Sequence, residues 1–463
     1  MKVAFSKINI TPKDYIGKPM AGYARKSPCL GNLDDIYAYG VLIESGYANK
    51  ENKRLLLISV DTLKLPLSIV EYIKNRLVSK YNTLKKKYIL IHATHTHSSF
   101  DLTGEFYYPG GIFAFLKGVM FASNKNDRYI VWLTNRILKM VNDLFEDLKS
   151  CMIAWKREMF NPDIVINRRY PSRKVLPDLG VLSFKSADSK ELMGIIINYA
   201  CHPTTLSYKN NKLSADYPGR IIAKIDELSN KKIKAIYFNG PSGDLNPITT
   251  CGTDFEKIDK DKTLVYDQLG TYSNTKKIGN IIGEEALNLA KSIDEKNYFK
   301  DIQIETNLQE VLIPFKDYRY FSKVWLSNKL KWIIKKYFLF KIAKFDLNSV
   351  NFPIFILDRK KLNKFGRTLV QLINFKIPNG NGLSIITIPG ELFEDIGKNL
   401  ITNSPKAKEN TFIFQNSQDW IGYLFPLDLY VEEGGYEPFM CFSPLCGHYI
   451  ELETLKLLER QKK

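Results

Sequence analysis

The sequence predicts an α/β fold in which mixed β-sheets are flanked by helices. Strand-like and helix-like runs alternate over most of the 463 residues. A composition that is 44% hydrophobic and 13% aromatic is sufficient for a large core. Neither an internal repeat nor a Ser/Pro/Gly-rich linker divides the chain. We therefore expect one large domain over residues 1–463, which excludes a disordered chain and a small disulfide-stapled scaffold.

The predicted strands are short runs rich in Val, Ile, Leu and aromatic residues, and turn residues bound them. They occupy residues 3–10, 39–45, 54–60, 88–92, 179–184, 193–199, 233–238, 302–312, 369–377, 383–388 and 411–415. Helix-like segments separate several of these strands, which is typical of sheets that contain parallel pairs. A mixed sheet is therefore expected.

The predicted helices occupy residues 66–81, 127–148, 217–229, 275–293, 392–403 and 448–460. The clearest pattern lies in 127–148. Its apolar residues form a stripe with a 3.6-residue period, made of Ile130, Leu133, Ile137, Met140, Val141 and Leu144. This stripe predicts a helix that packs one face on the core.

Positive charge is in excess, and part of it is concentrated. The net charge is +18, and residues 316–346 hold nine Lys/Arg, two Asp and nine aromatic residues. Basic and aromatic residues together are equally compatible with peripheral contact of this insertion with an anionic membrane and with a basic surface insertion packed on the body. Nucleic-acid binding ranks last, because the lysines outside the insertion are dispersed. No run of about 18 apolar residues predicts a spanning helix.

The cysteines and the N-terminus indicate a cytoplasmic protein with reduced thiols. The six cysteines are scattered without a CxxC pair, and the opening MKVAFSKINITP has no apolar signal segment. Cys441, Cys446 and His448 are close in sequence. Their irregular spacing favours two buried thiols and a surface histidine over a metal cluster.

Three of the five histidines lie within six residues, at His92, His95 and His97. A strand that runs into a loop would place His95 and His97 on the same side, because strand side chains alternate with a period of two. Two such imidazoles can bind one metal, or one can bind metal while the other contacts substrate. His92 lies within the predicted strand and is expected in the core.

Further polar groups follow other predicted strands. His202 follows strand 193–199, Asp244 lies in a loop after strand 233–238, and Glu391 follows strand 383–388. Strand ends can meet at one sheet edge, where α/β folds bind ligands. Glu391 beside two imidazoles would complete a two-histidine, one-carboxylate zinc site. Around Asp244, an ordinary Gly/Asn/Pro turn is the alternative.

These motifs together resemble the catalytic domain of the neutral/alkaline (non-lysosomal) ceramidase family, zinc amidohydrolases that cleave the amide of ceramide. The resemblance covers residues 2–438 and also includes Ile10-Thr11-Pro12 and Ala21-Gly22-Tyr23. The motifs occur in this order: His95-Thr96-His97, His202-Pro203, Gly243-Asp244 with Pro247, Pro389-Gly390-Glu391, Tyr423, and Gly435-Tyr436-Glu437.

The resemblance implies a role for each matching residue. The implied zinc ligands are His95, His202, Glu391 and Tyr423. The implied catalytic residues are His97 and Tyr436, which would face the substrate carbonyl and its oxyanion, and Arg168, which would position the substrate, with Arg169 as the alternative match. The implied substrate is an N-acyl lipid similar to ceramide.

The sequence departs from the family pattern in two informative places. Asn246 stands where the family has a serine, which excludes a serine nucleophile there and favours water activated by a metal. Only 27 residues follow Tyr436, so the family's C-terminal immunoglobulin-like domain is not expected. Two other functions stay open: an N-deacetylase of a soluble N-acetylated sugar, and a non-catalytic membrane-associated or nucleic-acid-binding protein.

Overall fold

A computed structural model describes residues 1–23, 25, 27–45, 53–103, 127–249, 270–314, 365–378, 380, 382–432, 437, 441 and 443–461. The basic segment 316–346 and Tyr436, both singled out by the sequence, lie outside these residues.

The strands among the described residues are β1 (Lys2–Asn9), β2 (Gly31–Asn32), β3 (Tyr37–Glu44), β4 (Arg54–Val60), β5 (Ile89–Ala93), β6 (Lys149–Met159), β7 (Val165–Asn167), β8 (Asp178–Ser186), β9 (Leu192–Tyr199), β10 (Lys212–Leu213), β11 (Lys234–Asn239), β12 (Leu245–Pro247), β13 (Gln303–Pro314), β14 (Phe365–Lys376), β15 (Leu383–Thr387), β16 (Glu391–Leu392), β17 (Thr411–Phe414) and β18 (Tyr423–Leu424). The α-helices are α1 (Leu67–Lys80), α2 (Asp127–Glu146), α3 (Asp216–Leu228), α4 (Tyr272–Lys291), α5 (Glu394–Thr402), α6 (Leu427–Glu432) and α7 (Cys446–Glu459).

Two mixed sheets dominate the architecture. The larger has eight strands in the order β11-β9-β8-β6-β1-β3-β4-β5, and the smaller has four in the order β13-β14-β15-β17. In the larger sheet the β4–β5 and β9–β11 pairs are parallel and the other pairs are antiparallel. In the smaller sheet only the β15–β17 pair is parallel. The predicted fold class, mixed sheets with flanking helices, is confirmed.

The core consists of three large apolar clusters. Residues from both sheets, including Ile197 and Phe412, share the largest cluster with α3 and α4. A second cluster packs α1 and α2 on β1, β3 and β4, and a third packs α5 and α7 on the far side of the smaller sheet. Helices therefore cover the sheets on their outer sides, as the alternating sequence pattern predicts.

Local sequence explains where the helices begin and which face they bury. The predicted stripe of α2 is buried along its length, from Ile130 to Leu144. Helix α4 begins three residues before its predicted start, because Thr271 caps it. The Thr271 hydroxyl accepts the backbone N–H of Asn274, whose side chain bonds back to the cap residue.

Strand β6 is a long element that the sequence analysis missed. It pairs with β8 along nine residues and with β1 at its start. Only the short stretch Cys151–Ala154 of β6 is buried, and both ends of the strand are exposed. Because β6 lacks the period-two alternation of a half-buried strand, its strand conformation depends on pairing with β8 and β1 and not on a local sequence pattern.

Within the described residues, no helix is both long and apolar enough to cross a membrane. The described cysteines are free and buried. They include Cys441 and Cys446, whereas His448 on α7 is exposed. The sequence-based preference for two buried thiols and a surface histidine is therefore confirmed.

The buried stripe of α2 gives a test of the fold. We expect Ile137→Ala to lower the free energy of unfolding by about 2–5 kcal/mol, because Ile137 is fully buried and its truncation leaves a cavity. Lys139→Ala, on the exposed face of the same helix, is the control, with an expected change within about 0.5 kcal/mol. Urea unfolding measures the free energy of unfolding of both variants. Equal values for Ile137→Ala and Lys139→Ala would contradict the assignment of Ile137 to the core.

Candidate metal centre

The larger sheet curls so that its two edge strands approach each other. Strands β5 and β11 stand at opposite ends of the strand order. Even so, the backbone N–H of Asn239 in β11 donates to Nε2 of His92 in β5 at 3.1 Å. In β4, Ser59 Oγ donates to the carbonyl of Tyr237 at 2.8 Å and lies 2.9 Å from His92 Nδ1. The curling brings the loops after β5, β9 and β11 together.

His95, His97 and His202 meet at this junction. The Nε2 atoms of His95 and His97 are 3.4 Å apart, and those of His97 and His202 are 3.2 Å apart. His95 and His202 are buried, whereas His97 is partly exposed. Among the described residues this trio is the one group of three or more metal-binding side chains with converging ligand atoms.

The reason for the pairing of His95 with His97 differs from the prediction. Strand β5 ends at Ala93, and His95 has a φ of 70°, in the left-handed region. The two imidazoles therefore meet across a turn and not by the alternation of a strand. Leu63 helps to hold the turn, because its carbonyl oxygen accepts a hydrogen bond from Nδ1 of His95 at 2.6 Å.

Backbone carbonyls determine which nitrogen of each buried imidazole carries the proton. His95 Nδ1 faces the carbonyl of Leu63 at 2.6 Å, and His202 Nδ1 faces the carbonyl of Ser242 at 3.1 Å. A carbonyl only accepts hydrogen bonds, so each Nδ1 must be the donor. In the neutral ring, Nε2 then presents a lone pair to the centre of the cluster. This arrangement suits a cation.

Burial favours the neutral form of His97 and of His202. It lowers the pKa of His97 and of His202 well below 6.5, and the neighbouring His95 lowers both further. Uncharged imidazole is the form that binds metal ions.

Glu391 adds a buried carboxylate to the cluster. Its Oε2 lies 3.3 Å from Nε2 of His95 and 3.6 Å from Nε2 of His202. Its Oε1 accepts the indole N–H of Trp420 at 3.0 Å. Burial by itself would raise the pKa of Glu391, but the surrounding His95, His202 and Tyr423 lower it to about 2. The carboxylate is therefore ionised at neutral pH.

The donor spacing fits a zinc ion. Tetrahedral ligands about 2.0–2.1 Å from zinc are about 3.3 Å from one another. The distances from Glu391 Oε2 to Nε2 of His95 and of His202, 3.3 and 3.6 Å, agree with that value. Nε2 of His97 lies 3.4 and 3.2 Å from the same two imidazole nitrogens. With Nδ1 of His95 and of His202 donating to carbonyls, the neutral rings turn lone pairs toward Glu391 Oε2, and a cation would relieve that repulsion.

Tyr423 reaches the cluster through a parallel strand pair. Strands β16 and β18 place Glu391 opposite Tyr423. The Tyr423 ring stacks on His202, with centroids 6.5 Å apart. The Arg168 guanidinium lies over the same ring at 4.9 Å, and its Nη1 is 3.5 Å from the Tyr423 hydroxyl.

Arg168 and Arg169 share one buried carboxylate. Glu437 accepts Nη2 of Arg168 at 3.2 Å on one oxygen and Nη1 of Arg169 at 2.9 Å on the other. All three side chains are buried. Of the two arginines that the sequence left as alternatives, Arg168 is the one that lies against Tyr423.

A buried cation and a glycine hold His97 from behind. Arg25 Nη2 donates to the backbone carbonyl of His97 at 2.7 Å, and Tyr23 packs on the His97 ring with centroids 4.9 Å apart. Gly22 has a φ of +98°, and a Cβ there would stand 2.6 Å from His97. Gly22 and Tyr23 of the Ala21-Gly22-Tyr23 motif therefore pack directly against the His97 imidazole.

Asp244 supports the loops instead of facing the cluster. It accepts the Asn167 amide at 2.7 Å and the backbone N–H of Glu394 at 2.8 Å. Burial raises its pKa to about 6. The adjacent Gly243 allows a close approach, since a Cβ there would lie 2.5 Å from the Glu391 carbonyl oxygen.

The structure thus brings together most of the residues that the sequence selected. The clustered residues are His95, His97, His202, Glu391 and Tyr423, with Arg168 beside them. Tyr436 lies outside the described residues. Sequence reasoning assigned no role to Trp420, Arg25 or Glu437. Only the adjacency of Glu437 to Tyr436 and of Arg25 to the Gly22 motif could have drawn attention to them.

Comparison with solved structures identifies the fold. Neutral ceramidase from Pseudomonas aeruginosa aligns with a TM-score of 0.71 and 16% identity, over 99% of this chain and 74% of that chain. A ceramidase complexed with C2 aligns with a TM-score of 0.71 and 15% identity, over 99% of this chain and 75% of that chain.

The chain has the neutral ceramidase fold. This confirms the fold that the motif resemblance implied. No protein-family profile and no curated protein sequence matches the chain. Because identity to the two ceramidases is only 15–16%, it is the structural alignment over 99% of this chain that connects it to that fold.

The shared carboxylate of Glu437 gives a test of the site's framework. We expect Glu437→Gln to lower the free energy of unfolding by about 3 kcal/mol or more, because two buried guanidinium groups then face a neutral amide. Glu310→Gln, which removes an exposed pair with Arg367, should cost less than about 1 kcal/mol. Chemical unfolding compares the two, and equal losses would contradict a buried framework role.

Proposed function

We propose that this chain is a zinc-dependent amidohydrolase that cleaves the amide bond of an N-acyl substrate, a ceramide-like lipid, with a metal-activated water. The observation that carries the proposal is the convergence of three imidazole Nε2 atoms and one ionised carboxylate in the neutral ceramidase fold. Both structural neighbours are ceramidases, which supports an N-acyl lipid as the substrate.

The proposed zinc ligands are His95, His202, Glu391 and Tyr423. His95, His202 and Glu391 are each no more than 2% exposed, and their tautomer or orientation is held by a neighbouring group. Imidazole and carboxylate donors in this number are typical of catalytic zinc sites. His97 is the partly exposed imidazole, which favours a role on the substrate side.

Each remaining residue has a proposed task in amide hydrolysis. Zinc, when bound, supplies a water with its pKa lowered toward about 7 and polarises the amide carbonyl. His97 Nε2 can accept a proton from the attacking water and pass it to the leaving nitrogen, because its imidazole is neutral. Tyr436 would donate to the carbonyl oxygen as negative charge develops there.

Arg168 has the proposed task of positioning the substrate. Its guanidinium is held by Glu437 and lies over Tyr423, so it is fixed beside the proposed ligand set. Fixed donors save the cost of reorganising water around a polar substrate. Asn246, buried in β12, has no ionisable hydroxyl, so the chemistry proposed here needs no side-chain nucleophile.

The setting of the enzyme is also a proposal. We expect an N-acyl lipid to be delivered from a membrane surface, with residues 316–346 as the peripheral contact. Their nine Lys/Arg and nine aromatic residues support contact with an anionic surface.

Metal content is the first test of the proposal. We expect one zinc per chain by elemental analysis, and loss of that zinc in His202→Ala, because a proposed ligand is missing. His97→Ala should keep the zinc but lose hydrolysis, as expected of a proton carrier outside the ligand set. His448→Ala is the matched control, since His448 is exposed on α7 and should change neither. Wild-type protein that takes up no zinc would refute the proposal.

Substrate class is tested by offering two kinds of amide. We expect release of fatty acid from an N-acyl sphingoid base and no release of acetate from N-acetylglucosamine. The reverse result would establish the N-deacetylase alternative. Arg168→Gln should lower kcat/KM by about 100-fold, the usual cost of one fixed donor. Arg173→Gln, which removes a half-exposed arginine paired with Asp395, is the control and should leave kcat/KM unchanged.

A further inference from the structure

Trp420 determines which way the Glu391 carboxylate faces. Its indole N–H donates to Oε1 of Glu391 at 3.0 Å, while Oε2 points to His95 and His202. Trp420 is 6% exposed, and a buried indole N–H needs an acceptor. Turning the plane of the carboxylate away would leave that N–H without an acceptor, so the bond holds one oxygen at the indole and the other at the imidazoles.

Lys64 is a buried cation on the face of the same indole. It is 2% exposed, and its Nζ lies 4.3 Å from the centre of the Trp420 ring. A cation at this distance is attracted by the electron-rich face of an indole. It draws electron density from the ring, which makes the indole N–H a stronger donor to a carboxylate.

The chain segments that carry these residues are joined to each other. The carbonyl of Leu63 accepts Nδ1 of His95, and the N–H of Leu67 donates to Asp419 at 2.8 Å. Asp419 also accepts the backbone N–H of Trp420 at 2.7 Å. The segments 63–67 and 419–420 therefore form one unit that contacts His95 on one side and Glu391 on the other.

We infer that Trp420 and Lys64 are positioning residues of the metal centre: the indole N–H orients Glu391 toward the imidazoles, and the Lys64 cation strengthens that bond. The inference rests on the proposed function, because it concerns the affinity of the same site for zinc. Outer groups that orient a metal ligand commonly change metal affinity by about 10–100-fold.

The test measures the dissociation constant of zinc by competition with a chromophoric chelator. Trp420→Phe keeps an aromatic ring but loses the N–H, and we expect zinc to bind about 10–100-fold more weakly. Trp155→Phe is the matched control, because the Trp155 indole donates to Asn410 at 2.6 Å outside the metal centre. Its zinc affinity should equal that of the wild-type protein.

Lys64→Met separates two effects of the cation. A positive charge that merely repelled zinc through space would weaken binding, so its removal would tighten binding. If Lys64 acts through the indole, its removal weakens zinc binding by about threefold or more. In a Trp420→Phe background it then has no further effect, and such non-additivity in a double-mutant cycle identifies a shared path.

The outcomes distinguish this inference from the proposed function. Wild-type protein without zinc affinity overturns both. Wild-type protein that binds zinc, with Trp420→Phe equal to Trp155→Phe, overturns the inference alone. Tighter binding by Lys64→Met overturns the role of the cation. Melting of each metal-free variant checks folding, and if Trp420→Phe does not fold, the Lys64→Met measurement decides.

Discussion

The contact between His92 and Asn239 is the constraint on which the site depends. It joins β5 to β11, the two edges of an eight-stranded sheet, and it is fully buried. An open sheet of this order would hold the loops after β5 and after β9 far apart. Because the imidazole accepts one backbone N–H and contacts Ser59 with its other nitrogen, both ring nitrogens serve the closure. His92, which lies outside the cluster of His95, His97 and His202, therefore positions that cluster.

The approach of β5 to β11 brings electron-rich side chains into an unfavourable cluster, and contacts from the rest of the fold hold them there. The Nε2 atoms of three imidazoles and an ionised carboxylate are crowded together, with 3.2 to 3.6 Å between neighbouring atoms. Nearby carbonyls, the Arg25 guanidinium and the Trp420 indole prevent these groups from turning away. Sites of this kind cost stability, and they are retained where function needs them. Pre-orientation means that little ordering remains to be done when a cation binds.

Sequence reasoning found the elements with a regular period and the residues with rare chemistry. The stripe of α2 and the His95–His97 pair are examples, although the pair meets through a left-handed turn and not through strand alternation. It missed β6, which has no alternation, and it could not foresee that β16 pairs with β18. It also missed Trp420, because nothing local distinguishes an indole that orients a carboxylate from one that fills the core.

The way the imidazoles are held explains how such a centre is compatible with wide sequence change. The orienting acceptors are the backbone carbonyls of Leu63 and Ser242, which any residue at those positions supplies. What the sequence must provide is the ligands themselves, a few side chains that hold them, such as Trp420 and Arg25, and glycine where the chain passes close to them, as at Gly22. A few short motifs therefore suffice for the centre, while apolar positions elsewhere need only volume and pattern. At 16% identity to a structure of the same fold, these motifs are where the sequence carries a recognisable chemical signal.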